Sequence, residues 1–177
     1  MAERIITMIP EEKIEQRVRE IGEEISRDYM GKSVHMICVL KGGVYFMTDL
    51  SKRIDVSIPV SMGFMSVSSY GDGTSSSGIV KIEKDLNESI EGKDVLIVED
   101  IIDSGRTLSY LMKILSARKP ASLRLCTLLD KPDRRVTDVK VDYCAFEIED
   151  KFVVGCGMDY KQRYRNLPYI GEVVLDE

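Results

Sequence analysis

Residues 95–108 read V-L-I-V-E-D-I-I-D-S-G-R-T-L, and the fold class follows from this stretch. The unbroken apolar run of Val95–Val98 predicts a strand of a parallel sheet that is buried on both faces. Beyond a turn of small and polar residues at 104–107, apolar side chains recur at helical spacing; these are Leu108, Leu111, Met112 and Leu115. We therefore expect a helix beginning near Gly105 and, with it, the strand–loop–helix unit of an α/β protein.

Three carboxylates lie where this strand is expected to end. Glu99 and Asp100 follow the apolar run at once, and Asp103 opens the turn. The N-terminus of the next helix offers backbone N–H groups and the positive end of its dipole to a phosphate, while the acids can hold hydroxyls or a metal. For any single acid, a helix N-cap or a solvated strand end is the simpler interpretation. The three acids together with the loop favour a site for a sugar phosphate.

The stretch closely resembles the phosphoribosyl-diphosphate binding motif of the type I phosphoribosyltransferases. The version with Ile101-Ile102, and most of the chain from Leu40 to Arg165, is similar to the hypoxanthine-guanine members of this family. Strands also alternate with helices along the chain, which is typical of an α/β fold. The resemblance thus implies one domain over residues 1–177, a mostly parallel twisted sheet flanked by helices, with a small base-binding lobe.

The resemblance also implies an activity. Such an enzyme is a pentosyltransferase of purine salvage: it transfers the phosphoribosyl group from phosphoribosyl diphosphate to hypoxanthine or guanine, with Mg²⁺ as cofactor, and gives IMP or GMP and pyrophosphate. A xanthine-preferring enzyme remains open, and so does a phosphoribosyltransferase-like regulator that binds nucleic acid. The net charge of −5 and the pI near 5.1 argue against the regulator, and a dinucleotide-binding module would need a G-x-G-x-x-G turn that the chain lacks.

The resemblance assigns a separate role to each of several residues in the motif. Asp103 is placed near the purine N7 as the general base, and Glu99 and Asp100 hold the ribose hydroxyls directly or through the metal. The backbone of residues 104–107 cradles the 5′-phosphate. The residues implied to bind phosphoribosyl diphosphate are Lys41, Gly42, Glu99, Asp100, Ser104, Gly105, Arg106, Thr107 and Arg165.

The loop Lys41-Gly42-Gly43 reads, from spacing alone, as an ordinary turn between a strand and a helix. In the resembled family this loop contacts the pyrophosphate, and a cis peptide precedes its lysine, so we expect a cis bond at Leu40-Lys41.

The purine site is also implied only by resemblance. Lys131 donates to the 6-oxo oxygen, Phe152 stacks on the base, and the Val153 backbone reads the base edge; Asp159 completes this set. The metal is assigned to Glu99, Asp100 and Asp159. From composition alone, Lys131 and Asp159 are surface charges and Phe152 is a core residue.

A lid is expected over the site. Residues 68–78 are rich in serine and glycine inside an otherwise compact chain, where long loops often act as lids. Ser69-Tyr70 match the pair that the family carries on its flexible loop. We expect the segment 69–79 to be disordered without ligand and to close over substrates, which would shield the reacting sugar from water.

The remaining features set the wider context. The four cysteines have no paired short spacing and are expected to be free thiols, and His35 is interpreted as structural. The chain shows neither a membrane-length apolar run nor a secretion signal, so a cytoplasmic location is the default, with small-molecule substrates and neither nucleic acid nor membrane as partner. A homodimer or homotetramer is implied by resemblance only.

Overall fold

The computed structural model describes residues 3–69 and 80–175. Its α-helices are α1 (Glu11–Asp28), α2 (Val44–Ser51) and α3 (Arg106–Ser116). Its strands are β1 (Glu3–Ile9), β2 (Val34–Leu40), β3 (Val60–Ser69), β4 (Val80–Lys84), β5 (Asp94–Ile102), β6 (Ser122–Asp130), β7 (Tyr143–Glu147), β8 (Val153–Val154) and β9 (Ile170–Leu175). A short 3₁₀ turn, Pro132–Arg134, follows β6.

Two sheets organise the molecule. The larger sheet has the order β4-β3-β2-β5-β6-β7, and every neighbouring pair is parallel except β3 and β4. The smaller sheet has the order β1-β9-β8 and is antiparallel. This arrangement confirms the predicted α/β class with a mostly parallel sheet, and the smaller sheet is the added lobe.

Apolar side chains cover both faces of the larger sheet, as a central parallel sheet requires. Alternate residues of β5 divide between two cores: Leu96 and Val98 pack with α1 and α2, whereas Val95 and Ile97 pack against α3. Helix α1 contributes an apolar stripe, in which Ile21 and Ile25 are fully buried. The helices therefore sandwich the sheet and leave the ends of its strands open.

Strand β5, in which the motif of residues 95–108 begins, continues beyond the apolar run Val95–Val98. It extends through both acids to Ile102, and Ile101 and Ile102 pair with Leu129 and Asp130 of β6. Glu99 and Asp100 are therefore members of the ladder rather than a solvated strand end. The N-cap of α3 is Gly105, with φ of +81°, so the interpretation of Asp103 as an N-cap is wrong.

Some expectations fall at the boundary of what is described. Ser69 is the last residue of β3, whereas Tyr70 and the rest of the expected lid up to residue 79 lie outside the described residues. In the described ranges, none of the helices combines the length and the apolar character needed to cross a lipid bilayer.

Candidate active site

The site lies at the edge of the sheet where the parallel strands end. Strands β2, β5 and β6 finish at Leu40, Ile102 and Asp130, and the amide of Lys131 donates to the carbonyl of Ile102 over 3.0 Å. In open α/β sheets, ligands bind beyond the carboxyl ends of the strands. The loops that follow these three strands carry Lys41, Asp103 and Lys131, so the fold brings together residues that are distant in sequence.

The paired acids of β5 form a poorly solvated anionic group. Glu99 is buried, and its Oε1 accepts the backbone amide of Asp100 at 3.1 Å; the half-buried Asp100 in turn accepts the amide of Ile101 at 2.7 Å. Burial raises the pKa of Glu99, and the adjacent Asp100 carboxyl raises it further. Burial also raises the pKa of Asp100. Full ionisation of both groups is therefore unfavourable unless positive charge approaches them.

Two glycines allow the loops to close around Asp100. A Cβ on Gly42 would lie 1.8 Å from Oδ2 of Asp100, so only glycine permits this approach of the backbone to the carboxylate. Gly157, with φ of +103°, packs in turn on the carbonyl of Gly42, where a Cβ would lie at 2.0 Å. The peptide bond Leu40-Lys41 is cis, as expected. The loop after β2 is thus held between the end of β5 and the Gly157 segment.

The turn before α3 forms a small concave surface. The carbonyl of Ser104 accepts the amides of Val136 and Thr137 at 3.0 and 3.1 Å, and the Ser104 hydroxyl accepts the amide of Arg106 at 3.3 Å. The positive φ of Gly105 turns the chain into the helix. A cavity of about 240 Å³ lies here, lined by Glu99, Asp100, Ile101, Ile102, Asp103, Ser104, Gly105, Thr107 and Leu108.

The end of this cavity that adjoins the start of α3 suits an anion. The first amides of a helix have no partner within the helix, and the helix dipole adds positive potential at the same place. The first turn of α3 contains no acidic residue. Such a helix start is a common anion-binding site, and the role of residues 104–107 as a phosphate cradle stays a prediction.

A second, larger cleft adjoins the first. It measures about 580 Å³ and is lined by Asp100, Ile101, Asp103, Lys131, Arg134, Asp150, Phe152, Val153, Met158 and Asp159. Asp100, Ile101 and Asp103 line both cavities. A ligand with a phosphate at one end and a planar group at the other would therefore pass directly over Asp103.

Lys131 is the buried cation of this cleft. Its side chain is only 9% exposed, and its Nζ lies 3.6 Å from Oδ1 of Asp103 and 3.5 Å from Oδ1 of Asp150. Asp103 and Asp150 are both about half exposed, so the ammonium is held between two carboxylates at the mouth of the cleft.

The smaller sheet supplies the aromatic wall. Phe152 is 55% exposed and lines the larger cleft, and its ring meets Tyr160 edge-to-face with centroids 5.6 Å apart. Val153 begins β8 and is buried beside it. Phe152 is therefore not the core residue that its composition alone suggested.

Arg165 and Asp159 form an ion pair on the third side of the site. Nη2 of Arg165 lies 2.9 Å from Oδ1 of Asp159, and Nη1 donates to the carbonyl of Gly157 at 2.7 Å. Through Gly157, this pair is connected to Gly42 and so to Asp100. The pair places a guanidinium close to the acids of β5.

A magnesium ion fits the paired acids in part. Two adjacent carboxylates whose full ionisation is disfavoured by burial are suitable hard-oxygen donors, and Mg²⁺ is commonly held by one or two carboxylates together with substrate phosphates. Residues 3–69 and 80–175 contain no group of three or more side chains arranged to bind a metal by themselves. Asp159, the third expected ligand, is paired with Arg165 instead.

The structure gathers most of the residues predicted from the sequence. Lys41 is exposed and lines neither cavity, although its neighbour Gly42 contacts Asp100. Asp150, Arg134 and Gly157 were missed. The adjacency of Asp150 to Phe152 and of Arg134 to Lys131 was a usable signal, whereas nothing in the sequence pairs Gly157 with Gly42.

His35 and the four cysteines line neither cavity of the site. Nδ1 of the buried His35 is 2.7 Å from the hydroxyl of Ser61 on the adjacent strand. All four cysteines are free thiols, as expected. Burial raises the pKa of Cys38 to about 12, which makes it a poor nucleophile.

Comparison with known proteins finds relatives that share both the sequence and the fold of this chain. Residues 7–161 match the family model of the phosphoribosyl transferase domain. A hypoxanthine phosphoribosyltransferase of Salmonella typhimurium is 52% identical over 177 residues, which cover 99% of this chain and 98% of that protein. The bifunctional protein TilS/HprT of Listeria monocytogenes is 54% identical over 164 residues, 93% of this chain, but this chain spans only 25% of its length.

A solved structure agrees with these relatives. The crystal structure of a hypoxanthine phosphoribosyltransferase from Staphylococcus aureus superposes with a TM-score of 0.91 at 49% identity, covering 95% of this chain and 90% of that one. With the geometry of the two cavities, these similarities establish that the chain belongs to the phosphoribosyltransferase family and, within it, to the hypoxanthine(-guanine) phosphoribosyltransferases.

Proposed function

We propose that this protein transfers the phosphoribosyl group from phosphoribosyl diphosphate to hypoxanthine or guanine, with release of pyrophosphate. The observation that carries the proposal is the position of Asp103. This residue lines both the cavity of about 240 Å³ at the start of α3, called here the phosphate cavity, and the cleft of about 580 Å³ that holds Phe152, called here the aromatic cleft. It also lies 3.6 Å from Lys131. A base bound in the cleft and a sugar phosphate bound in the cradle would meet at this residue. The relatives named as hypoxanthine phosphoribosyltransferases support the same reaction.

Each side chain has a role that its surroundings support. The carboxylate of Asp103 accepts the proton that the purine loses as its nitrogen attacks the anomeric carbon. The ammonium of Lys131 donates to the 6-oxo oxygen, and the exposed ring of Phe152 stacks on the base. The amides at the start of α3 hold the 5′-phosphate.

The leaving diphosphate develops negative charge as the bond to the sugar breaks. Lys41 and Arg165 supply positive charge on that side, and such preorganised charges act strongly in a poorly solvated site. Glu99 and Asp100 would orient the ribose hydroxyls and hold a magnesium ion brought in with the substrate. When bound, that ion would neutralise the diphosphate.

Product formation tests the proposal. The protein is incubated with phosphoribosyl diphosphate and Mg²⁺, and hypoxanthine, guanine, xanthine and adenine are offered separately. Turnover of hypoxanthine or guanine with adenine inert is the expected result. Dominant xanthine turnover would keep the mechanism and change the substrate, and binding of phosphoribosyl diphosphate without any turnover would reject the enzyme in favour of a regulator.

We also propose that the protein acts in the cytoplasm as a homodimer or homotetramer. The free cysteines are compatible with a reducing compartment. Alternate residues of β3, namely Val60, Met62 and Phe64, are 36–46% exposed on one face, which is typical of a surface that meets another protein. Analytical ultracentrifugation of the purified protein tests the assembly, and a monomer at all concentrations would reject it.

A further inference from the structure

Asp150 is a cleft residue to which the sequence assigned no role. It follows β7 at the edge of the sheet where the neighbouring strand β6 leads into Lys131. Its Oδ1 lies 3.5 Å from the Lys131 ammonium, and it lines the aromatic cleft beside Phe152. Its carboxylate therefore faces the same cation as the expected general base.

The geometry around Lys131 leaves one direction open. An ammonium has three N–H donors. Asp103 at 3.6 Å and Asp150 at 3.5 Å attract it from two sides, and burial of the side chain, only 9% exposed, prevents the head group from moving into solvent. Within residues 3–69 and 80–175 the ammonium has no other ion-pair partner, so a third donor is available to a ligand in the cleft. That donor matches a carbonyl oxygen, and it cannot pair with an amino group.

Arg134 fixes the carboxylate of Asp150. Its Nη1 lies 3.1 Å from Oδ2 and 3.3 Å from Oδ1 of Asp150. The closer contact is with Oδ2, and Oδ1 is the atom that faces Lys131. Arg134 is half exposed, so it orients Asp150 from the solvent side of the cleft.

Removing the carboxylate of Asp150 would unbalance this arrangement. Asp103 would become the one carboxylate within 4 Å of Lys131 among the contacts of the described residues. The ammonium would shift towards Asp103 and away from the position at which it meets the base. Placement errors of this kind weaken substrate interactions even when every group is still present.

We propose that Asp150 is a positioning residue that holds the Lys131 ammonium midway between itself and Asp103, and so sets the affinity for 6-oxopurines. This inference rests on the proposed function, because it assigns the cleft to the base. Asp150 does not line the phosphate cavity at the start of α3, so its removal should leave the binding of phosphoribosyl diphosphate there unaffected.

Steady-state kinetics of Asp150→Asn provide the test. We expect the KM for hypoxanthine to rise about tenfold, the scale of one charge-assisted interaction, with little change in the KM for phosphoribosyl diphosphate. The kcat should fall as well, because the ammonium moves towards Asp103 and makes that carboxylate a weaker base. Asp150→Glu restores the negative charge and should recover most of the affinity. The matched control is Glu149→Gln, which removes the same charge from the adjacent exposed residue.

Several outcomes would overturn the inference. These are an unchanged KM for hypoxanthine in Asp150→Asn, a parallel rise in both KM values with a lowered Tm, or the same change in Glu149→Gln. Full reproduction of the effect by Arg134→Met, without rescue by Asp150→Glu, would assign the effect to Arg134 and would also overturn it.

A crystal structure separates this inference from the proposed function. If the wild-type protein turns over no base, the proposed function fails. The position of Lys131 still decides the inference in that case: its Nζ should move towards Asp103 in Asp150→Asn and stay in place in Glu149→Gln. An unmoved Nζ in Asp150→Asn would overturn the positioning role.

Discussion

Gly42→Ala should damage the site through a contact that the sequence alone does not reveal. The added Cβ would lie 1.8 Å from Oδ2 of Asp100, whereas ordinary contact begins at 3.4 Å, so the two groups must separate by about 1.6 Å. Asp100 resists this movement because its other oxygen accepts the amide of Ile101 at 2.7 Å. The loop resists it because Gly157 packs on the carbonyl of Gly42.

The magnitude follows from that displacement. A misplacement of about 1 Å at a reacting centre lowers the rate by about 100-fold, so kcat/KM for phosphoribosyl diphosphate should fall by about two orders of magnitude. Overpacking of this kind should also lower the free energy of unfolding by about 1–3 kcal/mol. Steady-state kinetics at saturating hypoxanthine and urea unfolding followed by circular dichroism measure the two effects.

Gly92→Ala is the matched control. Gly92 has a positive φ, +73°, which Gly42 does not, but its added Cβ would meet nothing within 4 Å, and the residue does not line either cavity of the site. Backbone strain should cost about 1–2 kcal/mol and leave the kinetics unchanged. The reasoning would be refuted if Gly42→Ala kept kcat/KM within threefold of wild type, or if both variants lost activity equally.

Three further predictions address the base, the buried histidine and the core. Asp103→Asn should lower kcat by about 10²–10⁴-fold if the carboxylate is the general base, and full activity of this variant in steady-state assays would reject that role. Burial lowers the pKa of His35, so below pH of about 6.5 the unfolded chain gains a proton that the folded chain does not, and stability falls as the pH drops. Urea unfolding of wild type and His35→Gln between pH 5 and 7.5 should show a steeper fall of stability at low pH in wild type than in the variant, and equal pH dependence would contradict the assignment. Leu115→Ala, at a fully buried position of α3, should cost about 2–5 kcal/mol of unfolding free energy without altering the KM values, and a cost below about 1 kcal/mol would show that the core there is loosely packed.

The sequence predicted the larger sheet well because its strands carry continuous apolar runs. Strand β2 coincides with the mostly apolar run Val34–Leu40, in which every position except the last is buried. The end of β5 was predicted too early, because two adjacent carboxylates are uncommon inside a strand. Their place in the ladder depends on pairing with β6, which local composition does not encode.

Strand β1 was not predicted, because its residues are mostly exposed and its partner β9 comes from the far end of the chain. The candidate site shows the same division. The contiguous stretch 99–107 could be named as a candidate site from the sequence, whereas the pairing of Asp150 with Lys131 joins two loops nineteen residues apart and became visible only in the fold.

The pairing of β1 with β9 has a consequence for how the protein is made. Residues up to Glu147 complete the larger sheet and the cradle at the start of α3, whereas the smaller sheet joins Glu3 to Leu175. During synthesis, β1 cannot pair until its partner β9, Ile170–Leu175, has been translated, and closing so long a loop is slow even then. The larger sheet and the start of α3 are therefore available to fold before the smaller sheet, which carries Phe152 and Val153 at the aromatic cleft. A nascent chain stalled before residue 170 would lack the pairing that anchors the aromatic wall.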